Sequence, residues 1–112
     1  MSDLAQKKCI PCEGGVPPLG AEESAKLLAQ VHEWRISPDG LRISRSFSFK
    51  NFVEAVEFVN KITPIAESEN HHPDLCVSWG KVRIDLTTHA IGGLSENDFI
   101  LAAKIDELTS AK

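Results

Sequence analysis

The segment Lys81-Val-Arg-Ile-Asp-Leu-Thr-Thr-His89 alternates between apolar and polar residues. Val82, Ile84 and Leu86 are apolar, whereas the residues between them are polar. This period of two is typical of a β-strand that buries one face and leaves the other face free. Because His89 has the parity of the polar residues, we expect it to project from the polar face at the end of this strand.

The other patterns predict the element order α-β-β-α-β-β-α. Helices are predicted at 21–33, 51–69 and 95–108, and strands at 33–36, 41–49, 76–79 and 81–89. The turn Ser37-Pro38-Asp39-Gly40 joins the first two strands into a hairpin. Since adjacent strands have short connections, we expect the α+β class, with a four-stranded antiparallel sheet and three helices packed on one face.

Composition excludes several classes of protein. The chain has 112 residues, enough for one domain, and its net charge of −4 argues against broad nucleic-acid binding. No apolar run is long enough for a membrane span, and the first residues lack the apolar core of a signal peptide. Three cysteines do not make a disulfide framework, so a cytoplasmic setting is expected.

The amino-terminal segment differs from the rest in its density of glycine and proline. We expect a polar arm at residues 1–18 and a domain at residues 19–112. Cys9 and Cys12 form a C-x-x-C pair in this arm. A redox pair would lie near a βαβ unit and a zinc ribbon would need a second pair, so an arm without either role is favoured over both.

Two features of the helices carry further expectations. Pro64 should kink or interrupt the second helix, and Glu67 would share a face with His71 if that helix continued. In the third helix, Phe99 and Ala103 lie outside the main apolar stripe. This apolar surface exceeds what one core requires and indicates an oligomer.

Three of the four histidines fall in two short polar stretches, Glu67-Ser-Glu-Asn-His71-His72-Pro73-Asp74 and Thr87-Thr88-His89. Pro73 disfavours helical geometry in the residue before it, so the first stretch is predicted where a helix gives way to a loop. A helix end and a strand end can be brought together. We therefore expect the two stretches to form one site.

The residue types in this site favour proton transfer. Imidazole gives and takes protons near neutral pH, and histidines that converge with a carboxylate, here Glu67 or Asp98, fit general acid–base chemistry. A metal site is the alternative, but adjacent His71 and His72 are poorly placed to bind one ion. Asp98 also fits a purely structural role, because Ser95-Glu96-Asn97-Asp98 has the form of a capping box. His32 is expected to be a surface residue.

The sequence resembles a known family, the pterin-4a-carbinolamine dehydratases. The resemblance covers roughly residues 19–108 and is carried by Glu67-x-x-x-His71-His72-Pro73, Trp79, His89 and Asp98. The flanking segments are similar as well: 22–34, 70–74, 81–89 and 93–98. Leu75 departs from the aromatic residue of some members, and Gly20 departs from the usual hydroxyl N-cap. Neither departure removes a group with an implied role in the reaction.

The resemblance implies a reaction, an assembly and a site. The reaction is dehydration of 4a-hydroxytetrahydropterin to quinonoid dihydropterin without a metal or cofactor, which recycles the pterin of aromatic amino acid hydroxylases. Members form dimers that pair into tetramers. The implied catalytic residues are His71, His72 and His89. The implied substrate-binding residues are Glu67, Trp34, Thr88 and Asp98. Two other functions stay open: a dimerisation cofactor that binds a transcription-factor helix, and a zinc-binding domain.

Overall fold

The computed structural model describes residues 3–6, 18–31 and 33–110. Within these ranges the helices are α1 (Ala21–Leu28), α2 (Phe52–Glu69) and α3 (Glu96–Ser110), with short 3-10 turns at Asp3–Gln6 and His89–Ile91. The strands are β1 (Arg35–Ile36), β2 (Ile43–Ser48), β3 (Asp74–Ser78) and β4 (Lys81–Leu86). The helix and strand order confirms the predicted α-β-β-α-β-β-α arrangement and the α+β class.

The four strands form one antiparallel sheet in the order β1-β2-β4-β3. Val82, Ile84 and Leu86 of β4 are fully buried, as their alternation predicts. In β2, Phe47 lies opposite Val82 and Ile43 lies opposite Leu86, so these apolar side chains share one face of the sheet. The core therefore lies between this face and the helices, and the other face carries polar side chains.

Strand β4 ends earlier than expected. The predicted strand to His89 is wrong in its last three residues, because pairing with β2 stops at Leu86. Thr88 then forms an isolated bridge with Gly93, and His89 begins a 3-10 turn that lies between them. The bridge closes a tight loop through the left-handed Gly92, at φ 69°, which takes the chain out of extended geometry. His89 is therefore presented by a turn and not by a strand face.

Helix α2 begins and ends with recognisable caps. Asn51 accepts a hydrogen bond from the N–H of Glu54 at 2.9 Å, as an N-cap should. Pro64 lies inside the helix and does not interrupt it, so the expected interruption is wrong. At the other end, Asn70 is left-handed at φ 52°, and the N–H of His71 donates to the carbonyl of Ala66, which together make a Schellman ending. His71 therefore lies outside α2, so it does not share a helical face with Glu67.

Helix α3 is buried on more sides than a surface helix. Phe99 and Ala103 are buried inside the chain, so the expectation that they add an exposed apolar surface is wrong. The physical reason is that α3 packs against α2, α1 and the 3-10 turn at Asp3–Gln6, where Leu4 is buried in the same core. The apolar residues of α3 therefore do not support the predicted oligomer. In the described part of the chain, the exposed large apolar side chains lie elsewhere: Leu41, Phe52, Val53, Leu75, Val77 and Trp79.

Several predictions concern residues without a described position. Cys9, Cys12 and His32 lie outside the described residues, and the arm boundary at residue 18 stays a prediction. Among the helices that the structure does describe, none combines the length and the apolar character that crossing a membrane requires.

Candidate active site

The centre of the site is the buried carboxylate of Asp98 at the start of α3. Its Oδ1 lies 2.6 Å from Nε2 of His71. Its Oδ2 accepts a hydrogen bond from the hydroxyl of Thr88 at 2.9 Å and another from the backbone N–H of Ser95 at 2.9 Å. The side chain of Asp98 is 0% exposed and that of His71 is 11% exposed. Three parts of the chain therefore meet at one carboxylate.

Each partner reaches Asp98 for a local reason. The Schellman ending of α2 directs His71 away from the helix. The Thr88–Gly93 bridge sets the position of Thr88, whose N–H donates to the carbonyl of Gly93 at 2.9 Å. The bond from the N–H of Ser95 to Asp98 is one half of the predicted capping box. In place of the other half, the N–H of Asp98 donates to the carbonyl of Ser95 at 3.1 Å, and the hydroxyl of Ser95 lies 2.8 Å from that of Thr88. Asp98 nevertheless does more than cap the helix, because its second oxygen binds His71.

His72 belongs to a second pair that lies at the surface. Its Nε2 is 2.5 Å from Oε2 of Glu67, and the two side chains are 55% and 69% exposed. The partner of Glu67 is therefore His72 and not His71. The adjacent histidines thus each use Nε2 to meet a carboxylate, one buried and one open to water.

His89 lies in the turn that follows Thr88 and is exposed. Its ring makes no hydrogen bond with another residue in the described part of the chain. The loop that holds His89 is hydrogen-bonded to other parts of the chain. The hydroxyl of Thr87 donates to the carbonyl of Leu41 at 2.6 Å. The N–H of Leu19 also donates to the carbonyl of Leu94 at 2.8 Å. His89 therefore lies in a turn next to Thr88, and its predicted place on a strand face is wrong.

Trp34 does not join this cluster. Its indole N–H donates to Oδ1 of Asp106 at 2.8 Å, and its ring packs edge-on against Phe47. Arg45 donates to the same oxygen at 2.6 Å. Asp106 lies eight residues after Asp98, about 12 Å along α3 at the ordinary helical rise. A groove of about 560 Å³ lies beside Trp34, but none of the described histidines lines it.

Sequence reasoning missed three residues of these networks: Ser95 as a direct partner of Thr88, and the Arg45–Asp106 pair. The hydroxyls of Ser95 and Thr88 are 2.8 Å apart. Arg45 did give a signal, because it is the one polar residue among the apolar positions of its strand face. A charge at such a position needs a buried partner, and Asp106 supplies it.

The arrangement is suited to moving protons. Imidazole rings held by carboxylates have a fixed orientation and can give or accept a proton at the remaining ring nitrogen. Among the described residues, no group of three or more histidine, cysteine, aspartate or glutamate side chains is placed to hold a metal ion. The two histidine–carboxylate pairs differ in burial, so one ring is largely buried and the other is open to water.

Comparisons with known proteins agree on one family. The sequence profile of the family "Pterin 4 alpha carbinolamine dehydratase" matches residues 17–108. A protein of Rubrobacter xylanophilus that bears the provisional name pterin-4-alpha-carbinolamine dehydratase is 51% identical over 108 residues, covering 96% of this chain and 100% of its own. A relative from Nitrosomonas eutropha with the same provisional name is 54% identical over 107 residues, covering 95% of this chain and 93% of its own.

A solved structure agrees with the fold. The crystal structure of a "transcriptional coactivator/pterin dehydratase" from Brucella melitensis superimposes with a TM-score of 0.77 at 30% identity. The match covers 81% of this chain and 97% of the Brucella chain. Since the family profile spans most of the chain and relatives of similar length are about half identical, the chain belongs to the pterin-4α-carbinolamine dehydratase family.

Proposed function

We propose that this protein is a dehydratase that converts 4a-hydroxytetrahydropterin to quinonoid dihydropterin and water. Family membership over residues 17–108 supports the reaction class. The observation that carries the mechanism is the pair of adjacent histidines, each bonded through Nε2 to its own carboxylate. Such rings are oriented for proton transfer, which is the chemistry that this dehydration needs.

The reaction requires one proton to be delivered and one to be removed. The C4a–O bond breaks as a proton reaches the leaving hydroxyl, so that water departs. The N5–H bond breaks as its proton is taken up by a base, and its electron pair forms the C4a=N5 double bond. No electron leaves the substrate, so the step needs no redox partner. An acid and a base that titrate near neutral pH are sufficient.

The proposal gives the histidines the direct roles. His71, His72 and His89 exchange protons with the substrate or line its pocket, and Glu67 orients His72. Thr88 and Asp98 are buried, so we assign them the task of holding His71 and not that of touching the pterin. Trp34 is placed in the core by its bond to Asp106, which supports a structural role. With this activity we propose service to an aromatic amino acid hydroxylase in the cytoplasm.

A stopped-flow measurement tests the proposal. The rate of dehydration of 4a-hydroxytetrahydropterin is compared for wild type, His71→Ala and His89→Ala, with chelator present throughout. Wild type should exceed the spontaneous rate, and each substitution should lower kcat by about 10²-fold or more. Lys61→Ala, on the exposed side of α2, is the control and should match wild type. If wild type gives no acceleration, the enzyme proposal fails. A protein-binding role then takes its place, of the kind that "transcriptional coactivator" describes for the Brucella protein.

A further inference from the structure

The hydrogen bonds around Asp98 fix where the protons of the site reside. We infer that His71 exchanges protons through Nδ1, and that Thr88 and Ser95 are positioning residues that enforce this choice by holding Asp98. The position of the protons is inferred from the hydrogen-bond geometry alone. The catalytic role of Nδ1 rests on the proposed function.

The first step concerns Oδ2 of Asp98. The single hydroxyl proton of Thr88 points to this oxygen at 2.9 Å, so Thr88 has none left for Ser95. The short contact of 2.8 Å between the two hydroxyls therefore requires Ser95 to donate to Thr88. The backbone N–H of Ser95 supplies a second donor to Oδ2 at 2.9 Å. Every donor in this chain of bonds runs towards the carboxylate.

The second step concerns Oδ1. An ionised carboxylate only accepts hydrogen bonds, and a carboxylate with two donors at one oxygen fits that state. The 2.6 Å contact between Oδ1 and Nε2 of His71 then requires Nε2 to carry the hydrogen. In the neutral ring, the lone pair must reside on Nδ1, because each neutral imidazole has one donor nitrogen and one acceptor nitrogen.

The opposite arrangement would place the proton on Asp98. A protonated Oδ1 would donate to Nε2, and Nδ1 of His71 would then carry the hydrogen and be unable to accept one. The two donors at Oδ2 oppose this arrangement, since they stabilise negative charge on the carboxylate. Thr88 and Ser95 therefore decide the tautomer of His71, although neither touches the ring.

The burial of Asp98 preserves the hydrogen bonds that place the hydrogen on Nε2 of His71. Asp98 is 0% exposed, so water does not compete for its oxygens, whereas the Glu67–His72 pair is open to solvent. Nδ1 of His71 has no hydrogen-bond partner among the residues that the structure describes. It is therefore the nitrogen left for a substrate, and a carboxylate across the ring stabilises the positive charge that forms when Nδ1 accepts a proton.

The test is the ¹⁵N spectrum of the histidine rings, recorded through two-bond proton–nitrogen couplings on the full chain at a pH where His71 is neutral. His71→Gln assigns the signals. We expect Nε2 of His71 to be protonated and Nδ1 to show the shift of an unprotonated nitrogen. Asp98→Asn keeps an oxygen for Ser95 but offers an amide donor to Nε2, so it should switch His71 to the Nδ1–H form. Glu67→Gln is the control and should leave the His71 signals unchanged.

Kinetics separate positioning from a merely structural role. Thr88→Val should lower kcat about tenfold with little change in KM and give a mixture of His71 tautomers, because one donor to the carboxylate is lost. Thr88→Ser retains the hydroxyl and should restore both readings. The inference is overturned if wild-type His71 carries its proton on Nδ1, or if Thr88→Val matches wild type in spectrum and rate. A wild type with the expected tautomer but no acceleration overturns the proposed function instead and leaves the tautomer assignment standing.

Discussion

Gly93 lies so close to Pro18 that a Cβ atom added to Gly93 would be 2.7 Å from Cβ of Pro18 and 3.1 Å from its Cγ. Gly93 also forms the bridge with Thr88 that closes the loop carrying His89. Pro18, which precedes α1, therefore packs directly against the loop that holds Thr88 and His89. Gly93 is small because Pro18 occupies the space where a side chain would lie.

Gly93→Ala should displace this loop and reduce activity. The added methyl group has no room, so Thr88 and His89 must move or Pro18 must yield. We expect kcat to fall about tenfold or more and the free energy of unfolding to fall by about 1–3 kcal/mol, which is typical of overpacking. Stopped-flow rates and urea unfolding measure the two effects.

A second substitution makes this prediction specific. Pro18→Gly removes the Cβ and Cγ atoms that the alanine would meet. In the double variant, the activity lost through Gly93→Ala should return in large part, which a double-mutant cycle detects as coupling. Effects that simply add would show that the contact with Pro18 is not the reason for the glycine.

Asp106 should matter for stability and little for chemistry. It accepts hydrogen bonds from Trp34 and Arg45, and Arg45 and Asp106 are both largely buried. Asp106→Ala leaves a guanidinium without its close partner, which should lower the free energy of unfolding by about 3–5 kcal/mol. The measurement is urea unfolding. The double variant Arg45→Met with Asp106→Leu should recover part of the loss, because an apolar pair of similar volume removes the buried charge, while the indole N–H of Trp34 stays without its acceptor. A large drop in kcat for folded Asp106→Ala would contradict the core assignment of Trp34.

The sequence predicted the elements of the fold because their patterns are local. The alternation in β4 and the Asn51 cap each follow from neighbouring residues, and the structure confirms both, together with one half of the capping box before α3. The ends of elements were harder to predict. The left-handed Asn70 and the Thr88–Gly93 bridge depend on contacts that a linear pattern does not contain, and both change how a histidine is presented.

The spacing of residues along the sequence also could not predict which side chains of the site are hydrogen-bonded to each other. Helical periodicity favoured Glu67 with His71, yet Glu67 meets His72, because α2 ends between them. The burial of Asp98 depends on the packing of α3 against three other segments, which composition does not reveal. Apolar surplus on α3 indicated an oligomer for a similar reason: it could not show that Leu4 lies in the same core as Phe99 and Ala103.

Asp39 gives a prediction about pH. The hydroxyl of Ser37 and the backbone N–H of Leu41 donate to its carboxylate and lower its pKa below the ordinary value for aspartate, with the Ser37 bond the larger cause. A depressed pKa stabilises the fold above the unfolded-state pKa, and that contribution is lost as the pH falls through the folded-state pKa. NMR titration of Asp39 should show the depression, and Ser37→Ala should raise the pKa towards its ordinary value. An unchanged pKa in Ser37→Ala would assign the shift to Leu41 instead.

The edge of the sheet at β3 gives the last prediction, on assembly. Strand β3 pairs with β4 on one side, and its other side has no strand partner within the described residues. All five residues of β3 are exposed, and Leu75 and Val77 add apolar surface to this edge. Exposed, flat and apolar edges pair with further strands, and the commonest solution is a second copy of the same chain. We therefore expect self-association through β3.

Analytical ultracentrifugation of the wild type should show a dimer or a larger species, and Val77→Lys should shift it to monomer. Val53→Lys, an equally charged change at an exposed apolar position of α2, is the control. If Val53→Lys dissociates the protein and Val77→Lys does not, the contact between copies lies on the helices and not on the sheet.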